Sequence, residues 1–430
     1  MGIREPVDRT SDNGGLVFFM TTELTTLKDL DVSGKTVLVR AGFDVPLTGG
    51  RVLDDFRIQT SVPTINYLVS KKCRVIVIAH LGRPDGVDPS FSLLPVAERL
   101  ASLLGRKLLV LEDGQDRLPD YAIPHLYFLR HDILSADFKS ILSGMREKDI
   151  VLLENLRFYP GEKKGDEKFS ALLAALAEVF VNDAFSASHR DDASVTGVAK
   201  LLPAGAGFGL TAEAAALSRL TGSPKQPFVV MMGGVKLADK APALLRLARS
   251  AGSILLGGGL GNLFLKVRGY EIGKSVCAEK DEAAVAKQML RDYADKIKLP
   301  SDVVVSGSRD GQPEVVSVDK VRRSQMILDI GPQTILEYSG ELKGARSLLW
   351  SGALGYFENP AFSHGTFALA RLFASRCRGV AYGVAGGGET VEVIQKLKLT
   401  EFVDYVSTGG GAMLDFLADK PMPGLEALKK

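Results

Sequence analysis

Short apolar runs rich in β-branched residues recur along this chain, and each is followed by a turn and then by a helical pattern. Apolar and polar residues do not alternate within these runs, which is typical of strands buried on both faces of a parallel sheet. The runs in the first half of the chain lie at 36–43, 74–80, 149–155 and 178–185. Those in the second half lie at 227–234, 253–259, 347–353 and 379–388.

Helical patterns separate the apolar runs. Between 168 and 179 the apolar residues fall on one helical stripe, and 281–297 begins with acidic residues and ends in lysines, as the helix dipole favours. An Ala-rich helical segment at 212–220 is followed by the turn-rich stretch TGSPKQP. Strand–helix alternation in both halves predicts an α/β fold of two doubly wound, Rossmann-like parallel-sheet domains joined by a hinge helix.

The length of the chain supports this division, because 430 residues exceed what one hydrophobic core usually organises. We predict a first domain at 28–205, a hinge helix and linker at 206–226, and a second domain at 227–410. Residues 1–27 are predicted to form a flexible leader, and translation could instead begin at Met20.

Composition excludes several classes of protein. The 53 Lys and Arg nearly balance the 51 Asp and Glu, so the totals do not indicate a nucleic-acid or membrane partner. No apolar run reaches the roughly 18 residues needed to span a bilayer. Cys73, Cys277 and Cys377 are odd in number and far apart, which argues against a disulfide framework and a structural zinc site. We therefore predict a protein of the reducing cytoplasm.

Cationic side chains cluster just after the predicted strands of the first half, where ligands bind in open α/β sheets. One arginine at such a position is more typical of a surface residue or a structural ion pair, and a lone histidine of a structural one. Several arginines at one sheet edge instead predict a carboxylate or phosphate site, because the guanidinium fork matches those oxyanions. The residues of this cluster are Arg40, Asp44, Arg57, His80, Arg83, Arg157, His189 and Arg190.

Glycines stand at the corresponding strand ends in the second half. They allow backbone N–H groups and helix N-termini to approach a phosphate, so three such turns predict a nucleotide site. Lys236 and Lys240 follow the first turn at a spacing that predicts one face of a helix, directed at phosphates. GYEIGKS at 269–275 and GGGLGN at 257–262 only approach the Walker A and dinucleotide fingerprints, and we reject both. The turns are Gly233-Gly234, Gly257-Gly258-Gly259 and Gly386-Gly387-Gly388.

From about residue 28 to the C-terminus, the chain closely resembles the phosphoglycerate kinase family. The resemblance implies reversible transfer of a phosphoryl group from 1,3-bisphosphoglycerate to Mg-ADP, giving 3-phosphoglycerate and ATP in glycolysis. It also implies a Mg²⁺ requirement, ADP and ATP as substrates, and a monomer whose residues 411–430 pack back on the N-terminal domain. The motifs that carry it include VLVRAGFDVPL, DDFRIQTSVPTI, AHLGRPDG, LLENLRFYPGE, GGVKLADK, GGGLGNLFLK, LDIGPQT, GYFE, GGGET and VSTGGGAMLDFL.

The same resemblance implies a role for each matching position. Arg57, Lys236 and Lys240 would be catalytic, Glu358 would bind the ribose, and Glu389 would face the metal. The phosphoglycerate would be held by Arg40, Gly42, Phe43, Asp44, Arg57, His80, Leu81, Gly82, Arg83, Arg157 and Arg190. The nucleotide would be held by Gly233, Gly234, Lys236, Lys240, Gly257, Gly258, Ile327, Glu358, Gly387, Gly388, Glu389 and Thr390.

Several positions depart from the family pattern. Gly42 stands where a carboxylate normally bonds substrate hydroxyls, and Glu389 stands where the metal-facing residue is an aspartate. These departures leave an alternative open, a catalytically weakened phosphoglycerate-kinase-like protein that binds nucleotide or a partner. The other departures are Asp44 for an amide, Asp192 for a histidine, Ile327 for a glycine, Ser351 for an asparagine and Ala353 for a proline.

Overall fold

The computed structural model describes residues 23–112, 118–119, 123–135, 138–277 and 282–430. Its first sheet is entirely parallel, with strand order β5-β6-β7-β4-β1-β8-β9. These strands are β1 Thr36–Arg40, β4 Arg74–Ile78, β5 Leu108–Leu111, β6 Leu126–Leu129, β7 Ile150–Leu153, β8 Val179–Asn182 and β9 Ala204–Ala206. A small antiparallel hairpin, β2 Leu47–Thr48 and β3 Arg51–Val52, lies beside them.

The second sheet is also parallel, with strand order β12-β11-β10-β16-β17-β18. Its strands are β10 Phe228–Met232, β11 Ser253–Leu256, β12 Ile297–Lys298, β16 Ser347–Ser351, β17 Tyr382–Gly386 and β18 Tyr405–Ser407. A three-stranded antiparallel sheet packs beside it and consists of β13 Asp302–Ser306, β14 Glu314–Ser317 and β15 Met326–Ile330.

Helices cover the faces of both sheets. In the first half they are α1 Phe56–Ser70, α2 Leu94–Leu104, α3 Phe138–Ser143, α4 Pro160–Lys163, α5 Glu167–Ala174 and α6 Phe208–Thr221. In the second half they are α7 Ala241–Ala248, α8 Gly258–Val267, α9 Glu282–Asp292, α10 Pro332–Gly344, α11 His364–Cys377, α12 Gly388–Lys396, α13 Gly411–Leu417 and α14 Pro423–Glu426. In the part of the chain that the structure describes, no helix is long and apolar enough to cross a membrane.

The eight predicted strands are confirmed, and the packing explains why they lack alternation. In β1, Leu38 faces one hydrophobic cluster while Val37 and Val39 face another, and all three are fully buried. In β10, Val230 likewise packs on the opposite face from Val229. Because both faces of each sheet are covered, successive residues are apolar whichever way they point.

The predicted helices are present but shorter than their sequence patterns. The helix predicted at 168–179 ends at Ala174, because Val179 already belongs to β8. The helix predicted at 281–297 ends at Asp292, and its residue 281 lies outside the described residues.

The two ends of the described chain pair with each other. The backbone N–H of Lys430 donates to the Glu23 carbonyl at 2.8 Å, and that of Thr25 donates to the Leu428 carbonyl at 2.8 Å. Leu24 and Leu27 are buried. The prediction of a flexible leader is therefore wrong for residues 23–27, whereas its remainder, including Met20, lies outside the described residues.

Asp183, directly after β8, connects the first sheet to the start of α6. Its buried Oδ1 accepts a hydrogen bond from the backbone N–H of Leu210 at 3.1 Å. Burial raises the pKa of the Asp183 carboxyl to about 6. This aspartate is therefore easier to protonate in the folded chain than in the unfolded one.

We expect Asp183→Asn to flatten the pH dependence of stability. The stability contributed by the raised pKa is complete below about pH 4 and is lost as the pH rises through about 6, so the unmodified chain should weaken over that window. Urea unfolding between about pH 4 and about pH 7 measures this slope, with the exposed Glu401→Gln as control. The prediction would be contradicted if the free energy of unfolding changed equally with pH in the unmodified chain, in Asp183→Asn and in Glu401→Gln.

Candidate active site

Arg40 ends β1 and lies at the centre of the predicted cationic cluster. Its side chain is fully buried, its Nε donates to Ser194 Oγ at 2.8 Å, and its Nη1 donates to the Ala41 carbonyl at 2.6 Å. Behind it, the buried Glu162 carboxylate accepts from the Ser194 backbone N–H at 3.0 Å and from its hydroxyl at 2.5 Å. Burial raises the pKa of Glu162, and the Arg40 charge opposes that rise.

Glu162 and Ser194 were missed as members of the site. The signal available in the sequence was chemical, since a buried arginine needs an anionic partner. Glu162 lies within the motif LLENLRFYPGE, but its distance from Arg40 along the chain hides the pairing. These two residues fix the orientation of the Arg40 guanidinium from behind.

His80 follows β4 and stands between two guanidinium groups. Its Nδ1 lies 2.5 Å from Arg40 Nη2, and its Nε2 lies 3.4 Å from Arg190 Nη1. The Asp44 carboxylate is 3.7 Å from Nε2. Burial, followed by the charges of Arg40 and other arginines, holds the pKa of His80 well below its ordinary value. The imidazole is therefore neutral and adds no further positive charge to the cluster.

Arg157 adds a third guanidinium from the 3₁₀ turn after β7. Its Nη1 donates to the Gly82 carbonyl, and the Gly82 N–H donates to Asp44 Oδ1 at 2.9 Å. Burial and the neighbouring Arg190 lower the pKa of Arg157. Its buried Nε–H has no hydrogen-bond partner among the described residues. An unsatisfied cationic donor of this kind is the group that an anion would satisfy.

Arg57, in the first turn of α1, reaches across to the second half of the chain. Its Nη1 donates to the Asp44 carbonyl, and its Nε donates to the Thr408 carbonyl at 3.1 Å. Thr408 follows β18, so this arginine touches loops from both parallel sheets. The role of Thr408 as its acceptor was not predicted.

The structure also places the remaining predicted residues of this cluster. Phe43 and Leu81 are buried in the hydrophobic core, and Arg83 is exposed on the loop after β4. His189 is half-buried, with its Nε2 3.3 Å from Arg190 Nε. Burial is the main cause that lowers the pKa of His189.

Two departures from the expected pattern lie in the wall of the cluster. Asp192 is buried, and its charge opposes the lowering of the Arg40 and Arg157 pKa values. Gly42 is buried beside Ser186, whose hydroxyl oxygen would lie 3.1 Å from a Cβ atom built on the glycine.

The glycine turns lie at the carboxyl ends of the second sheet, as the sequence predicts. A Cβ atom on Gly233 would overlap the Ala353 carbonyl oxygen, so only glycine allows this approach of the two loops. Gly257 precedes α8, and Gly387, with φ +97°, precedes α12. The first backbone N–H groups of α12 have no partner among the described residues, an arrangement that favours an anion. In α8, the N–H groups of Gly258 and Leu260 instead donate to the Leu354 and Gly234 carbonyls at 2.8 and 2.9 Å.

The two lysines are not on one face of a helix, which corrects the prediction from their spacing. Both lie in the turn between β10 and α7, because the helix begins only at Ala241. Lys236 is exposed, whereas Lys240 is mostly buried and its Nζ donates to the Gly233 carbonyl. Burial lowers the pKa of Lys240, and the Glu389 carboxylate opposes that shift.

Glu389 is held at the start of α12 by the loop after β16. Its Oε2 accepts from the Ala353 backbone N–H at 3.1 Å, and the Thr390 hydroxyl accepts from the Gly352 N–H at 2.6 Å. This anchor needs an N–H at position 353, which a proline would lack. A proline at position 353 would therefore remove this hydrogen bond to the Glu389 carboxylate.

Oxygen ligands of this kind fit a magnesium ion that binds with a nucleotide. One carboxylate and one hydroxyl suffice, because Mg²⁺ is usually held by one or two carboxylates together with substrate phosphates. Within the described ranges, no cluster of three or more His, Cys, Asp or Glu residues could hold a metal by itself.

The structure also shows the positions of Ile327, Ser351 and Glu358. Ile327 lies in β15, and its backbone N–H donates to Ser275 Oγ at 2.7 Å. Ser351 is buried at the end of β16, and Glu358 is exposed on the loop that follows.

Comparison with known proteins identifies the family. The family model described as phosphoglycerate kinase matches residues 27–420. A phosphoglycerate kinase of Pelotomaculum thermopropionicum is 42% identical over 409 residues, which cover 94% of this chain and 98% of that protein. A phosphoglycerate kinase of Thermomicrobium roseum is 39% identical over 412 residues, covering 94% and 99%.

Solved structures give the same result. The phosphoglycerate kinase of Coxiella burnetii matches with a TM-score of 0.79 and 33% identity, over 94% of this chain and 98% of that one. The enzyme of Pyrococcus horikoshii matches with a TM-score of 0.79 and 28% identity over the same shares. The sequence relatives, the family model and the fold agree, and this chain belongs to the phosphoglycerate kinase family of phosphotransferases.

Proposed function

We propose that this chain transfers the acyl phosphate of 1,3-bisphosphoglycerate to Mg-ADP, forming 3-phosphoglycerate and ATP, and that it catalyses the reverse reaction. The observation that carries the proposal is the buried Arg157 Nε–H, which lacks a partner among the described residues and lies in a cluster of guanidinium groups. A bound phosphoglycerate would supply the missing acceptor.

The phosphoglycerate would occupy the cluster around His80. Arg40 and Arg190 flank the imidazole, and Arg157 approaches from the loop after β7. Because burial and the arginines keep His80 neutral, one of its ring nitrogens can accept a hydrogen bond from a guanidinium while the other donates. The site would thus bind an anion through several fixed cationic donors.

The nucleotide would occupy the glycine turns of the second sheet. The N-terminus of α12 would face its phosphates, and Glu358 would bind the ribose. Glu389 and Thr390 would hold Mg²⁺, which supplies positive charge on the phosphate oxygens. Ile327 would limit the space for the base.

Phosphoryl transfer needs positioning and positive charge more than a covalent nucleophile, because its transition state is loose. Arg57 and Lys240 are placed to supply that charge, one from each half of the site. Both are held by backbone carbonyls, at Thr408 and Gly233. The acceptor in the reverse reaction is a carboxylate, which requires no strong general base.

The two ligands would lie on different domains, at 28–205 and 227–410, so we propose that the domains close around α6 and exclude water during transfer. We also propose a monomer that works in the cytoplasm. Cys73 and Cys377 are buried thiols, and burial raises the pKa of Cys73 to about 11, which suits apolar rather than redox roles.

A coupled assay in both directions, with Mg²⁺ varied, tests the function. We expect Mg²⁺-dependent ATP formation from 1,3-bisphosphoglycerate and ADP. Calorimetric nucleotide binding without turnover at saturating substrates would instead favour the alternative, a weakened protein that binds nucleotide or a partner. The substitutions Gly42 and Asp192 in the anion site are the specific observations behind that alternative.

We expect Ala353→Pro to weaken the binding of Mg-ADP about tenfold. The substitution removes the N–H that anchors Glu389, and a hydrogen bond to a charged group is worth about 1.5 kcal/mol or more. Ala353→Gly keeps the N–H and is the matched control. Calorimetry with Mg-ADP measures both, and equal dissociation constants for the two variants would show that the anchor has no effect on binding.

A further inference from the structure

In the wall of the cationic cluster, the backbone of Gly42 lies against the side chain of Ser186. Gly42 follows β1 and Ser186 follows β8, and these strands are neighbours in the first sheet. The atom nearest to a Cβ built on Gly42 is Ser186 Oγ at 3.1 Å, followed by backbone and side-chain carbons of Ala184 at 3.7 and 3.9 Å. The serine hydroxyl is thus the nearest polar group at the point where residue 42 carries no side chain.

This hydroxyl is available to a ligand. Ser186 is part-exposed, and its Oγ has no hydrogen bond within the described ranges of the chain. Among the other oxygens of the cluster, Glu162 Oε1 accepts from the Ser194 hydroxyl and Asp44 Oδ1 accepts from the Gly82 N–H, whereas the buried Asp192 Oδ2 has no hydrogen-bond partner among the described residues. Ser186 adds to these charged groups a neutral hydroxyl, which can both donate and accept a hydrogen bond.

From this geometry we infer that Ser186 binds the hydroxyl group of the phosphoglycerate and so determines specificity for a hydroxylated three-carbon acid. The inference rests on the proposed function and deepens it. The arginines recognise the phosphate and carboxylate by charge. Ser186 recognises the hydroxyl group on the carbon between them by a neutral hydrogen bond. Gly42 contributes by leaving the space that the serine hydroxyl fills.

The test compares 3-phosphoglycerate with the phosphate ester of 3-hydroxypropanoate, which is the same compound without the hydroxyl. Calorimetry measures both dissociation constants in the full chain, in Ser186→Ala and in the exposed control Ser102→Ala. In the unmodified chain and the control, we expect 3-phosphoglycerate to bind about three- to tenfold more tightly than the analogue. In Ser186→Ala the two compounds should bind equally, at the affinity of the analogue.

A second variant tests whether residue 42 can supply the hydrogen-bond acceptor in place of Ser186. Gly42→Asp combined with Ser186→Gly places an acceptor on the opposite side of the same gap, and we expect the preference for the hydroxylated compound to return. Gly42→Asp alone brings its Cβ against Ser186 Oγ, so it should melt at a lower temperature than the double variant.

The outcomes separate the inference from the proposed function. The inference would be overturned if Ser186→Ala kept the full preference for 3-phosphoglycerate over the analogue. Turnover by the unmodified chain would still support the proposed function in that case. An unmodified chain that binds neither compound would overturn both.

Discussion

Arg57→Ala is expected to lower kcat by about a thousandfold while the fold survives. The guanidinium is the cation that contacts loops of both sheets, through the carbonyls of Asp44 and Thr408. In phosphoryl transfer an arginine at the transferred group stabilises the transition state by roughly 10³-fold or more. Arg57→Lys should recover only part of the rate, because a lysine cannot bond two oxygens in a fixed fork.

Steady-state kinetics with both substrates and thermal unfolding check this result. The matched control is Arg51→Ala, an exposed arginine on the nearby hairpin, which should leave both quantities unchanged. A fall in kcat that is matched by a large loss of stability would assign Arg57 to domain contacts instead. A kcat within tenfold of the unmodified chain would exclude a catalytic role.

Lys240→Ala is the second large effect that we expect, with kcat lowered by roughly a hundred- to a thousandfold. The lysine is mostly buried beside Glu389, and its Nζ is held at the Gly233 carbonyl, where the glycine turns would carry the phosphates. Removing one fixed cationic donor from a water-poor site costs transition-state stabilisation more than ground-state binding. The KM for Mg-ADP should therefore change much less than kcat.

The comparison with Lys236→Ala separates the two lysines. Lys236 is exposed and lies in the same turn, so its removal should affect nucleotide affinity more than kcat. The exposed Lys225→Ala is the neutral control. If Lys236→Ala lowers kcat as much as Lys240→Ala does, burial is not what distinguishes the catalytic lysine.

The central strands of both parallel sheets were predictable because their physical signature is local. A strand covered on both faces needs apolar residues at every position, as Leu38 and Val39 show by packing on opposite faces. The antiparallel sheet β13–β15 lacks that signature, since most residues of its edge strand β14 are exposed. The strand β14 could therefore not be recognised from burial on both faces.

The cationic residues of the site were predictable because they lie at the ends of predicted strands. Their hydrogen-bond partners were not predictable. Arg40 ends one buried strand and His80 follows another, and the topology of a parallel sheet brings such positions together. Glu162 lies in the short helix α4, Ser194 in a helical segment at Ala193–Gly197 and Thr408 in the loop after β18, and tertiary packing determines where these segments lie. The lysine spacing was misleading because i,i+4 geometry applies only inside a helix, and α7 starts after Lys240.

The polypeptide crosses between the two sheets twice, and this limits how they can move. The first crossing is α6, between β9 and β10, and the second runs from β18 to α14, where the Gly424 N–H donates to the Ser188 carbonyl at 2.9 Å. A body attached at one point can tilt and twist in any direction, whereas two attachments leave mainly rotation about the line that joins them. The proposed closure of the two domains would therefore follow mainly one rotation, about the line that joins the two crossings.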